Sequence, residues 1–209
     1  MELIHYNFAS FDNKLEFLNS FKVVNSIWFD SESIIPIKYS IFLNTIDNSD
    51  FFDSVKFFSE MFDREFDIRQ RIVPALSFIA QPSLKNHYCS IEIMSLNNEH
   101  NDISIYSNSL EDKRYITFSY KDLKYLVSSY ILPFHINEDT NIKSIYESIF
   151  NSFQSISAIL NKEQMNFADV IRQWTFIEKV LDLEDYDNGL KQFYQVFNDV
   201  RSHFFKKVV

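Results

Sequence analysis

Glycine is almost missing. Gly189 is the only one in 209 residues, whereas loops that cradle phosphates need several glycines for tight turns and close backbone approach. Dinucleotide-binding and nucleoside-triphosphatase sites of that kind are excluded. Cysteine is as scarce: Cys89 stands alone, so no internal disulfide forms. Its setting in Tyr88-Cys89-Ser90-Ile91 reads as strand, which favours a buried structural thiol over a nucleophile. Basic charge is also short, with 20 Lys and Arg against 29 Asp and Glu, a net charge of -9. Contact with a phosphate backbone needs clustered cations, so nucleic acid is not expected as a partner. The one dense basic run, Lys206-Lys207, reads as a solvated helix end. No apolar run approaches the roughly 20 residues of a membrane span, and Met1-Glu2-Leu3 does not open a secretory signal, so a cytoplasmic location without membrane contact is expected. His87, His100, His135 and His203 lack the spacing of metal ligands, and no metal is expected.

Apolar residues make up 46% of the chain, enough for a sizeable core, and aromatics 17%, with 23 Phe. With Ile and Asn also frequent, biased coding composition accounts for that excess as well as any functional reading, and it is no binding signal by itself.

Along the chain, Leu3–Phe8 predicts a short strand, Ser10–Val24 a helix, and Ile35–Asn44 a strand whose Pro36 sits where a missing donor is tolerated. Phe52, Val55, Phe58 and Phe62 carry helical spacing. Ser77–Ala80 and Tyr88–Leu96 follow as strands, and Ile103–Tyr106, Tyr115–Tyr120 and Tyr125–Leu132 as three more. Ile142, Ile145, Ile149, Phe153, Ile156 and Leu160 form one helical stripe, expected to lie on a sheet. Val170–Val180 then alternates with period two, Arg172, Trp174 and Phe176 on one face, and predicts a strand. An acidic loop, Asp182–Gly189, precedes a helix marked by Leu190, Phe193, Phe197, Val200 and Phe204. A strand between two helices on one sheet predicts a right-handed crossover.

A shift that carries Asp50 onto Asp185 also lays Tyr39 on Trp174, Ile41 on Phe176, Phe58 on Phe193 and Phe62 on Phe197, and predicts an internal duplication. Two units are expected, 1–98 and 99–209. Asp47–Asp50 and Asp182–Asp185 recur at the same place in each, as helix caps rather than catalysts.

Asn166-Phe167-Ala168-Asp169-Val170, leading into a strand, and the aromatic helix Phe193-Tyr194-Gln195-Val196-Phe197-Asn198 resemble the reactive-intermediate deaminase (Rid, YjgF-like) superfamily, as does the Pro74-Ala75 step. Asp169-Val170-Ile171-Arg172-Gln173-Trp174 and Phe197-Asn198-Asp199-Val200-Arg201-Ser202-His203-Phe204-Phe205 are similar to phrases of the chorismatase family, built from tandem Rid-like units. The resemblance implies an α+β fold of two such units of the chorismate-mutase-like barrel kind, with mixed sheets and helices on one face, the second unit stopping before its last strands. It implies a cofactor-free release of pyruvate from chorismate, leaving a hydroxybenzoate or a dihydroxycyclohexadiene carboxylate, and association as a trimer or as an intrachain pseudo-trimer.

That chemistry needs guanidinium groups for two carboxylates and a buried acid to protonate the enol ether. Arg172, Trp174, Arg201 and Asn198 are the candidate substrate-binding residues. The acid is expected beyond Val209, so this chain alone is expected to lack turnover. Bland alternatives stand beside each. Arg172 could snorkel from a sheet edge or pair with Glu178, and Trp174 could be core. Arg201 and Asn198 could cap a loop or pair with Asp199 and Glu184. In the shifted alignment Ile37 and Phe66 replace Arg172 and Arg201, and Leu76 stands where Rid deaminases keep a carboxylate-binding arginine, so the first unit reads as scaffold. Imine hydrolysis, or non-catalytic binding of a small carboxylate or a protein partner, are the other functions the residues allow.

Overall fold

A computed structural model describes residues 3–29, 33–69, 72–81, 87–99, 102–111, 113–129, 142–176, 181, 183–186 and 189–206. The chain is α+β and forms two compact units, Met1–Tyr130 and Ile131–Val209. Among the described residues no helix is long and apolar enough to cross a membrane.

In the first unit, β1 (Ile4–Phe11), β2 (Ile34–Leu43), β3 (Ala75–Ile79) and β4 (Cys89–Asn97) form a mixed sheet in the order β1-β4-β2-β3. β4 runs antiparallel to β1 and β2, and β2 pairs in parallel with β3. Parallel neighbours need a long crossover, here the helix α2 (Asn48–Arg69). The crossover predicted near the C-terminal end is thus formed near the N-terminal end instead. β2 slips register between Pro36 and Lys38, as expected where a ring removes a ladder donor.

Period two places Tyr39, Ile41 and Leu43 of β2 on one face with Leu76 and Phe78 of β3 and Ile91 and Ile93 of β4, all buried. Both helices cover that face. Phe17 and Phe21 from α1 (Lys14–Phe29) meet Phe58, Phe62 and Phe66 from α2 in the same cluster. Rings sit 4.9 Å apart for Phe17 and Phe58, 4.8 Å for Phe21 and Phe62 and 4.9 Å for Tyr39 and Phe62, most at steep angles that bring edges to faces. Each buried ring contributes about 1.5–3 kcal/mol. Aromatic abundance therefore builds this core, whatever its coding origin.

Strands β5 (Ser104–Leu110), β6 (Lys113–Tyr120) and β7 (Leu123–Ser128) form a separate antiparallel meander. Ile103, Ile116 and Phe118 share a buried cluster with Ile37 of β2 and Leu96 of β4. The division of the chain consequently falls after Tyr130 and not at 98/99, because these strands complete the first unit's core.

In the second unit, α3 (Ile142–Lys162) lies against α4 (Phe193–Phe205) through Phe153, Leu160, Phe167, Phe197 and Val200, with a 3-10 turn at Phe167–Asp169. Among the described residues the apolar stripe of α3 packs on α4 and not on the expected sheet. Two predicted elements are corrected. Residues 170–176 form no strand, and Ile171, Trp174 and Phe176 are 90%, 49% and 55% exposed. Alternation makes a strand only where another strand pairs with it and one face is covered, and among the described residues neither holds here. Positions 177–180 of that prediction lie outside the described residues. The acidic loop is a hairpin, β8 (Leu183–Tyr186) against β9 (Gly189–Gln192); Asp182 is not described.

The shifted alignment fails accordingly over most of its length. It lays residues 35–41 of β2 on irregular chain and the first half of α2 on the β8–β9 hairpin, and helix meets helix only from Phe58 and Phe193 onward. Shared spacing of aromatics in a Phe-rich chain produces such matches without common structure.

Candidate functional site

The second unit carries an open cavity of about 200 Å³ lined by the 170–175 segment and by α4. Each wall is set by local chemistry. Asn166 opens the 3-10 turn, its side-chain oxygen accepting from the Ala168 N–H at 2.8 Å while its own N–H donates to the Asp169 carboxylate at 2.9 Å. This reciprocal cap satisfies donors that a turn start would leave unpaired. It turns the chain at Val170 into the extended run that carries Arg172.

The rest of the lining is a helical ridge. Phe197, Arg201 and Phe205 recur at every fourth residue of α4 and all line the cleft. α4 starts with the Gln192 N–H on the Gln195 side chain at 3.0 Å, and buried Phe193, Val196, Phe197 and Val200 hold its inner face to the unit.

Arg172 and Arg201, predicted separately from a strand and a helix, come together in this lining. The guanidinium of Arg172 lies over the Trp174 ring, 4.5 Å from its centroid, and that of Arg201 over Phe205 at 5.1 Å. Stacking restrains a planar fork while its N–H edges stay open to a ligand. Among the described residues neither is paired with a carboxylate: Asp199, a predicted partner for Arg201, instead takes Lys191 at 3.0 Å. Glu178 is not described.

Trp174 backs Arg172 from an exposed position and does not line the cleft. Asn198 is half-buried on α4 and also off the lining. Gln173 lines it, its amide donating to the Thr175 hydroxyl at 3.2 Å. The apolar lining was missed from sequence, although the four-residue rhythm of Phe197, Arg201 and Phe205 was visible in it.

The lining therefore offers two cations, two aromatic rings and an amide, suited to a flat anion with more than one acidic group. Its described residues include no carboxylate, imidazole or thiol, so nothing there donates a proton near neutral pH. In the first unit, the shifted counterparts Ile37 and Phe66 are 0% and 1% exposed, and Leu76 is 5% exposed. These are core positions.

Comparison with family models, with curated proteins and with solved structures finds no match to this chain.

Proposed function

We propose that residues 131–209 bind a small dicarboxylate of the chorismate class, Arg172 and Arg201 each taking a carboxylate and Phe197 and Phe205 lying along the ring. The presence of both arginines in the lining of one cleft carries this reading. The chorismatase-like phrases around Arg172 and Arg201 supply the substrate class. They also supply the reaction, release of pyruvate in the cytoplasm by a protein built from Rid-like units. Trp174 restrains the Arg172 fork by stacking on it, while Asn198, off the lining, stays a candidate only through the resemblance.

Enol-ether cleavage requires an acid at the methylene carbon, and the cleft's lining has none. Binding without turnover is the activity assigned to the chain itself. Imine hydrolysis is the weaker reading, since Leu76, at the position its arginine would occupy, is sealed in the core.

Titration calorimetry of the chain with chorismate tests the proposal. Saturable binding is expected, reduced roughly tenfold or more by Arg172→Ala and by Arg201→Ala, because each removes one charge-assisted pair. No pyruvate should appear. Absence of binding, or two variants that bind like the parent, would sink the reading, and pyruvate release would refute binding without turnover.

A further inference from the structure

Strand β1 forms one edge of the four-stranded sheet and pairs with β4 without a bulge. Its sequence, IHYNFASF, contains no Lys, Arg, Asp, Glu or Pro. Edge strands are ordinarily protected by such residues or by a bulge, since a row of unpaired N–H and C=O groups is a template for another strand. Here the edge carries aromatic side chains instead, Tyr6 at 53% and Phe8 at 66% exposure. The opposite edge strand, β3, is buried at every position.

Which backbone groups face outward follows from one bond. The Asn97 N–H donates to the Leu3 carbonyl at 3.0 Å, and residues of an antiparallel strand alternate between bonding the neighbour and pointing away. Leu3, His5, Asn7, Ala9 and Phe11 therefore bond toward β4. Ile4, Tyr6, Phe8 and Ser10 turn both N–H and C=O to the open side.

We propose that β1 pairs with β1 of a second copy of this chain, antiparallel about a two-fold axis at Asn7. In that register Ile4 lies opposite the copy's Ser10 and Tyr6 opposite the copy's Phe8, so every outward group of both strands is bonded. A two-residue slip in either direction leaves outward groups unpaired at the ends. The exposed aromatics then form two cross-strand pairs on one face, each a favourable contact. A copy of the chain fits because the strand has no Asp, Glu, Lys or Arg and the register sets His5 opposite the copy's Ala9, so two-fold pairing sets no like charges opposite one another along it. Net charge of -9 opposes association through acidic surfaces. Glu92 of β4 lies opposite Phe8 one strand in from the edge, and Asp12 lies past the strand with its carboxylate on His87.

Sedimentation equilibrium over a concentration series reads this directly. The chain should reach twice its 25.0 kDa mass at the upper end. Phe8→Pro removes an outward N–H and no bond to β4, and Tyr6→Lys with Phe8→Lys sets charge along the edge. Both variants should stay at the chain mass with unchanged far-ultraviolet circular dichroism. A parent chain that remains at 25.0 kDa throughout, one that forms trimers, or charged-edge variants that associate like the parent would overturn the pairing. Hydrogen exchange on the parent gives a readout that needs no variant: slowing of the Tyr6 and Phe8 amides with rising concentration supports it, and concentration-independent exchange refutes it.

Discussion

Arg114 on β6 holds Asp63 on α2 in a two-pronged ion pair, its second nitrogen donating to the carboxylate at 3.0 Å. The pair ties the meander to the helical face of the first unit. Both side chains are more than a third exposed, 37% and 40%, so solvent screening reduces its worth. Arg114→Ala, Asp63→Ala and the double variant should give a coupling energy of about 0.5–1 kcal/mol by urea denaturation. Additive losses would show that the fork geometry contributes nothing.

The shortage of glycine leaves a mark at the β6–β7 turn. Lys121 and Asp122 carry φ of 48° and 63°, the left-handed values that a two-residue hairpin turn demands at both positions and that side chains resist. Asn-Gly is the pair best suited to such a turn. Lys121→Asn with Asp122→Gly should raise stability by about 0.5–1 kcal/mol, observed as a higher melting temperature. A lower one would show that the native pair makes compensating contacts.

Burial pushes the Cys89 thiol from 9.0 up to about 12. The unfolded thiol ionises as pH passes 9, while the folded one keeps its proton until about 12, so stability falls as pH rises through that window. The buried Tyr39 hydroxyl is also raised by desolvation and acts the same way above its ordinary value of 10.0. Lys38 opposes them: burial lowers it, so the folded amine loses its proton first and stability is regained toward 10.5. Cys89→Ala should therefore lose about 1.4 kcal/mol less than the parent between pH 7 and 10. Equal losses would exclude the thiol as a cause, and alkylation of native Cys89 at pH 8 would contradict its burial.

The cap at Asn166 positions the wall that bears Arg172. Asn166→Ala should cost about 1 kcal/mol of stability and weaken chorismate binding without altering the lining. Arg172→Lys keeps the charge but loses the planar fork and its stacking on Trp174. Binding by the lysine variant should fall roughly as far as in Arg172→Ala, within about 1 kcal/mol. Full affinity in the lysine variant would mean that charge alone serves.

Much of the first unit was legible in the sequence. β1, β2, β4 and α2 lie where spacing and branched residues put them, and α3 and α4 follow their apolar stripes, because a helix or strand signature is written over a few neighbouring residues. Position 170–176 shows the limit: Ile171, Trp174 and Phe176 alternate like a strand, yet strand formation depends on a partner that no local pattern specifies. The same holds for the hairpin at 183–192.

Composition alone argued against glycine-rich phosphate loops and left no internal disulfide within these residues, and one glycine and one cysteine suffice for that. The resemblance of two short phrases to the chorismatase family also marked Arg172 and Arg201 as the cations to watch. Tertiary structure decided that they share a cleft, that β5–β7 complete the first unit, and that Ile37, Phe66 and Leu76 are core. These outcomes depend on contacts between residues far apart in the chain, whose energies are settled only when the whole unit packs.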